Sequence, residues 1–168
     1  MKIGIMFGCF IPLHKGHLSL IDKALNENDK IVIGVCGYDG DRGKDFISFQ
    51  TRYDLMVNKY KNNPNIIIVK IDDKKLSLDG TFTLHNWDIW TKELFKQSKL
   101  NPNDPTIIYN WYMGEQGYVE KISTLFPQHK FNLVNRNVIF ISGTKIRQDF
   151  IKYKEYIDND FWNYLNNK

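Results

Sequence analysis

Three uninterrupted apolar runs constrain this chain most: Ile3-Gly4-Ile5-Met6-Phe7, Ile31-Val32-Ile33-Gly34-Val35-Cys36 and Ile66-Ile67-Ile68-Val69-Lys70-Ile71. Runs of this length, rich in Ile and Val, read as strands. Their lack of alternation means that both faces of the sheet are covered. Between them lie amphipathic stretches at helical spacing, so each strand is followed by a crossover helix. A parallel sheet with helices on both faces follows, with right-handed connections. The pattern predicts strands at about 2–8, 30–36, 66–71, 106–109 and 130–134, and helices at about 16–27, 48–61, 86–98 and 116–125, with further helices from Thr144 on. Ser48 is the expected N-cap of the second helix. The expected fold is a single Rossmann-like α/β domain over residues 1–168, with five parallel strands in the order 3-2-1-4-5 and C-terminal helices.

Length and composition add bounds. With 168 residues, 42% hydrophobic and 25% charged, the chain is long enough for one core and ordinary for a soluble protein. No apolar run approaches a membrane span, and the N-terminus lacks a secretory pattern, so a cytoplasmic protein is expected. Lys and Arg number 23 against 19 Asp and Glu, a net charge of +4. That mild, dispersed excess suits anionic small molecules and argues against nucleic acid and membrane as partners. A homo-oligomer is left open. The two cysteines, Cys9 and Cys36, are read as reduced thiols at neighbouring strand ends. There is no internal repeat and no Walker G-x-x-x-x-G-K-[ST] loop.

Chemistry concentrates just past the first strand, in Gly8-Cys9-Phe10-Ile11-Pro12-Leu13-His14-Lys15-Gly16-His17. This segment stands at the carboxyl edge of the sheet, where open α/β folds bind ligands, and at a helix start, which presents N–H groups to anions. Gly8 and Gly16 let backbone approach a phosphate, and two imidazoles can donate to phosphate oxygens. Zinc would need further ligands. The other histidines, His85 and His129, stand far off in sequence and without clustered cysteines, so no protein-held metal is expected. A second block, Ile141-Ser142-Gly143-Thr144-Lys145-Ile146-Arg147, reads either as an ordinary helix cap or as a phosphate cradle.

Together, G-x-F-x-P-x-H-x-G-H over residues 8–17 and I-S-x-T-x-x-R over residues 141–147 resemble the two signatures of the nucleotidyltransferase superfamily related to class I aminoacyl-tRNA synthetases. Within it, Trp87-Asp88-Ile89-Trp90, Cys36 through Arg42, Gln50-x-Arg52, the stretch from Ile139 to Arg147 and the aromatic tail from Phe150 to Trp162 resemble the nicotinamide mononucleotide adenylyltransferase domain of the NadR family, along essentially the whole chain. Relatives often add a ribosylnicotinamide kinase domain or a DNA-binding repressor domain; neither is expected here, given the length and the missing P-loop. The sequence departs from the family pattern at Cys9, where lysine is common, and at Lys15.

The resemblance implies transfer of the adenylyl group of ATP to nicotinamide mononucleotide, giving NAD and pyrophosphate, with Mg2+ accompanying ATP. His14 and His17 would contact the ATP phosphates, with His17 stabilising charge at the α-phosphate. Gly8, Gly16 and the Phe10 N–H would admit phosphate, Ser142 and Thr144 would hold the β- and γ-phosphates, and Arg147 would grip the leaving pyrophosphate. No nucleophilic side chain is required, because such displacements run on positioning and charge stabilisation. Trp87 and Trp90, three apart on one helix face, either stack on the cationic nicotinamide ring or pack in the core. Arg52 faces an anionic substrate or makes a surface salt bridge. Asp39 and Asp41 reach a cation through water or cap their turn, and Asp72 and Asp73 border the nicotinamide pocket. Tyr109–Glu115, read as the loop after strand four, is expected near the adenosine. The alternatives are a sister transferase acting on another phosphorylated acceptor such as phosphopantetheine, or one using CTP, and a non-catalytic nucleotide-sensing module.

Overall fold

The strands run β1 (Lys2–Gly8), β2 (Lys30–Gly37), β3 (Ile66–Asp72), β4 (Ile108–Met113) and β5 (Lys130–Leu133), and the helices α1 (Lys15–Glu27), α2 (Phe49–Tyr60), α3 (Trp87–Ser98), α4 (Gln116–Leu125), α5 (Gly143–Gln148) and α6 (Asn159–Asn166). A short 3₁₀ turn, Lys154–Tyr156, precedes α6. These elements come from a computed structural model that describes residues 1–80, 86–135 and 141–168. His85 and the residues Ile139 and Phe140 of the second block lie outside the described residues.

Among the described residues the five strands pair in parallel, as the alternation of runs and amphipathic stretches predicts, and their order is the expected β3-β2-β1-β4-β5. The covered faces form two cores. On one, Met6, Ile31, Ile33 and Val35 meet Ile21 and Ala24 of α1, Met56 of α2, Ile146 of α5 and Phe161 of α6. On the other, Ile3, Ile5, Val32 and Ile71 meet Trp90, Leu94 and Phe95 of α3 and Ile122 of α4. Successive residues of β2 therefore point into different cores, and all of Ile31, Val32, Ile33 and Val35 are fully buried. Each such side chain contributes roughly 1.5–3 kcal/mol through burial. Strand order reverses between β1 and β4, which places a crevice at their carboxyl ends.

One boundary differs from expectation. The fourth strand is not residues 106–109 followed by a loop; it starts at Ile108 and runs to Met113, so Tyr109–Met113 is sheet and not an adenosine-side loop. Upstream, the Asp104 side chain accepts from the Thr106 N–H and hydroxyl, extending the turn. Downstream, Tyr109, Trp111, Tyr112 and Met113 are buried. Asn110 interrupts the apolar pattern but is satisfied inside the sheet, donating to Asn28 Oδ1 at 2.7 Å. A polar residue with a partner reads, from sequence, like a strand end.

Candidate active site

Two segments are tied together at the carboxyl end of β1 by residues 136 apart in the chain. Arg147 of α5 donates from Nη1 to the carbonyl of Ile11 at 2.8 Å and from Nη2 to Thr144 Oγ1 at 3.2 Å. This brings the first sequence block against the second. Gly143 permits the approach: a Cβ there would sit 2.9 Å from Arg147 Nη1 and 3.0 Å from the Ile11 oxygen. Burial pulls the Arg147 pKa down, helped by the neighbouring Arg42. It stays a cation at any working pH.

The two histidines are fixed by main chain. His14 is the N-cap of α1, and its Nδ1 accepts from the Gly16 N–H at 3.1 Å. The His17 Nδ1 accepts from the His14 N–H at 3.2 Å, closing a reciprocal capping box. An imidazole that accepts at Nδ1 carries its donor at Nε2. The rings stack with centroids 3.8 Å apart, and Phe10, itself at φ 54°, packs edge-on against His17. Burial lowers the His14 pKa to about 4, so it is a neutral donor at neutral pH. Gly16 must lack a side chain, since a Cβ would meet His14 Cε1 at 2.9 Å.

Around this pair, Gly8 ends β1 and is half-buried, while Ser142 caps α5 by accepting from the Lys145 N–H. Ser142 and Thr144 are exposed. Ser142 is thus the cap that the first of its two readings expects. Burial raises the Cys9 thiol, which stays protonated and unsuited to nucleophilic work.

Arg52 is a correction. It is fully buried and faces neither substrate nor solvent. Its guanidinium is bidentate on Asp41 and donates to the Ile47 carbonyl at 2.8 Å. Asp41 caps its turn, accepting from the Tyr38 and Gly43 N–H groups, but it does so buried and not in solvent. Burial would raise its carboxyl, but Arg52 and the N–H groups of Gly43 and Tyr38 outweigh that and hold it below the usual range. The pair pins the β2–α2 loop under the sheet edge. Asp39 lies exposed in the same turn.

The tryptophans separate. Trp90 is 1% exposed and belongs to the α3-side core, with Nε1 donating to Asp73 Oδ1 at 3.1 Å. Direct stacking on a ligand is thus excluded for Trp90, whose ring is enclosed. Trp87 is half-buried and closes an aromatic cluster with Phe7 of β1 and Tyr118 of α4, centroids 6.4 and 5.1 Å away. Of the two carboxylates at the end of β3, Asp72 caps a turn, accepting from the Lys74 and Lys75 N–H groups. Asp73 is buried beside Cys9 and Cys36.

Sequence reading missed Arg42 and Tyr118. Arg42 is exposed, hydrogen-bonds Cys9 and lies close enough to depress Arg147, giving two guanidiniums beside the first block. Its signal was a cation in a Gly-rich loop at the carboxyl edge of β2. Tyr118 had none, since helix α4 meets α3 only in three dimensions. Among the described residues no group of three or more His, Cys, Asp or Glu side chains could hold a metal ion. No helix of the described residues is long and apolar enough to cross a membrane.

A doubly wound parallel sheet with these two blocks meeting at its carboxyl edge is a Rossmann-like α/β architecture. The chain belongs to the cytidylyltransferase-like family, whose pattern matches residues 5–149. It is 27% identical over 174 residues to the trifunctional NAD biosynthesis/regulator protein NadR of Escherichia coli (strain K12), a match covering 94% of this chain and 39% of NadR. A crystal structure of NadR protein in complex with NAD and AMP-PNP shares 28% identity and a TM-score of 0.78, over 95% of this chain and 45% of that one. The phosphopantetheine adenylyltransferase of Clostridium botulinum (strain Langeland) is 26% identical over 117 residues, covering 64% of this chain and 70% of the relative. The chain thus spans less than half the length of the NadR proteins it matches.

Proposed function

We propose that this chain transfers the adenylyl group of ATP to the 5′-phosphate of nicotinamide mononucleotide, releasing pyrophosphate and forming NAD. The observation that supports the reading is the Arg147–Ile11 hydrogen bond, which ties the segment bearing Ser142, Thr144 and Arg147 to the one that leads into His14 and His17. Such a set does what phosphoryl displacement needs: it places donors where charge builds on transferring and leaving oxygens. In this reading the Nε2–H groups of His14 and His17 donate to the triphosphate, His17 at the α-phosphate. Gly8, Gly16 and the Phe10 N–H admit the phosphates, and Ser142, Thr144 and Arg147 hold the β- and γ-groups that leave. Mg2+ arrives on the triphosphate itself.

The nicotinamide acceptor is supported by two things. Likeness to NadR runs along nearly the whole chain, and Phe7, Trp87 and Tyr118 present an aromatic wall beside the crevice, suited to a flat cationic ring. Likeness to phosphopantetheine adenylyltransferase over 117 residues favours a second reading, the same chemistry on 4′-phosphopantetheine. Incubation with ATP, Mg2+ and each acceptor in turn, with pyrophosphate measured and products weighed, separates them. NAD formation is expected. Product from 4′-phosphopantetheine alone would move the assignment to the second reading, and binding without turnover would leave a nucleotide sensor.

A further inference from the structure

Arg42 has no task in the transfer described above, yet its placement is specific. Its neighbours in the chain are both fixed. Asp41 is buried and bidentate on Arg52, and its carboxylate accepts from the Gly43 N–H at 2.9 Å. Gly43 is buried against the first block, where a Cβ would come 3.1 Å from Ile11 Cδ1. Ile11 is also the residue whose carbonyl accepts from Arg147. The β2–α2 loop and α5 thus meet on one residue, and Arg42, donating to the Cys9 sulfur, lies near Arg147.

The charges at this meeting do not balance. Among the described residues Arg42 belongs to no ion pair. Of the acids in its own turn, Asp41 is taken up by Arg52, and Asp39 is exposed and equally unpaired. The cations that act on Arg147 are Arg42 and Arg52, the second already neutralised by Asp41. The Cys9 thiol is protonated and a weak acceptor. Two guanidiniums near each other repel, and an anion between them attracts both.

We propose that Arg42 is a second clamp on the leaving pyrophosphate, closing from the β2–α2 loop on the group that Arg147 holds from α5. This rests on the adenylyl transfer proposed above and not on the identity of the acceptor. His14 is neutral at neutral pH, so it offers a hydrogen bond and no charge to a group that departs with several negative charges. A guanidinium supplies the charge and a planar fork for two phosphate oxygens.

The test is calorimetry of inorganic pyrophosphate with Mg2+, and of AMP, on the wild type, Arg42→Gln and Arg42→Lys. The wild type is expected to bind both. Arg42→Gln should weaken pyrophosphate by about tenfold or more, the usual effect of losing a hydrogen bond to a charged group, and leave AMP nearly unchanged. Arg42→Lys should recover part of the loss, because the charge remains and the fork does not. In turnover, KM for ATP and inhibition by added pyrophosphate should move together, with KM for the acceptor unmoved. Arg42 is exposed, so the melting temperature should hold in both variants. Unchanged pyrophosphate affinity in Arg42→Gln overturns the inference. Equal weakening of AMP overturns it too, by making Arg42 a support of its loop, and so does a rise confined to the acceptor's KM. A wild type that binds pyrophosphate through Arg42 but transfers no adenylyl group removes the transfer reading and leaves this site. A wild type that binds no pyrophosphate removes the site.

Discussion

The two sides of the crevice are built by different physics. On the α1 and α5 side the polar groups are held by main chain: His14 by the Gly16 N–H, His17 by the His14 N–H, Arg147 by the Ile11 carbonyl. On the α3 and α4 side the groups are held by packing: Trp90 in a core, Asp73 by an indole, Trp87 between Phe7 and Tyr118. For the two histidines these bonds span two or three residues, so their chemistry can change while the fold stands; Arg147 alone reaches across the chain. Packing spans four elements, so there the chemistry and the fold share side chains.

The sharpest way to break this contrast is to truncate in the packed side. Trp90→Ala should cost roughly 3–5 kcal/mol of stability, the usual loss for a large buried aromatic, and should strand Asp73 without its indole. Urea denaturation measures it; a loss under about 1 kcal/mol would mean that the core carries less of this side than its burial implies. On the main-chain side the effect should move to rate. His17→Ala should lower turnover by about 10²- to 10³-fold while costing only about 1 kcal/mol for the lost cap. Near-normal turnover in folded protein would take His17 out of the chemistry.

Trp87 sharpens the contrast, because it is half-buried and sits on the packed side without being core. Trp87→Ala should raise KM for the nicotinamide nucleotide about tenfold, in line with roughly 1–3 kcal/mol for an aromatic stack on a base, with ATP nearly unaffected. Equal weakening of both substrates would return Trp87 to a purely structural part.

The smallest effect concerns acid. His14, lowered to about 4 from 6.5, stays neutral in the fold while the unfolded chain takes a proton, so stability is lost as pH falls from about 6.5 to 4. Asp73, raised to about 6 from 3.8, does the reverse: the fold takes the proton first, and stability is gained as pH falls through the same window. The two offset each other. Asp73→Asn should therefore lose melting temperature more steeply than wild type between about pH 6.5 and 4, and parallel curves would show that the two groups are not opposed.

This division also explains what could be read from the chain. The main-chain side was legible: Gly8 through His17 and Ser142 through Arg147 act within short segments, so spacing carried the signal. The parallel sheet was legible because Ile31–Val35 and Ile66–Val69 are apolar without alternation. Arg52 misled, because a cation in a helix looks alike whether it meets solvent or a buried Asp41 eleven residues back. Trp90 and Trp87 look equivalent at a spacing of three, and only the packing of Phe7 separates the enclosed ring from the half-open one. The strand at 108–113 was misread because Asn110 finds its partner, Asn28, 82 residues away.

The Arg147–Ile11 bond has a consequence for the order in which the molecule is made. The first block is synthesised before its partner in α5, which comes 136 residues later. The Leu13 carbonyl waits longer still, for the Asp158 N–H. Closing contacts of such separation is slow, because loop entropy is spent before the contact repays it. A nascent chain whose five strands have already paired can thus hold a finished sheet and an open carboxyl edge. That edge would close late, as a docking of α5 and the Asp158 turn onto a framework that had long been waiting for them.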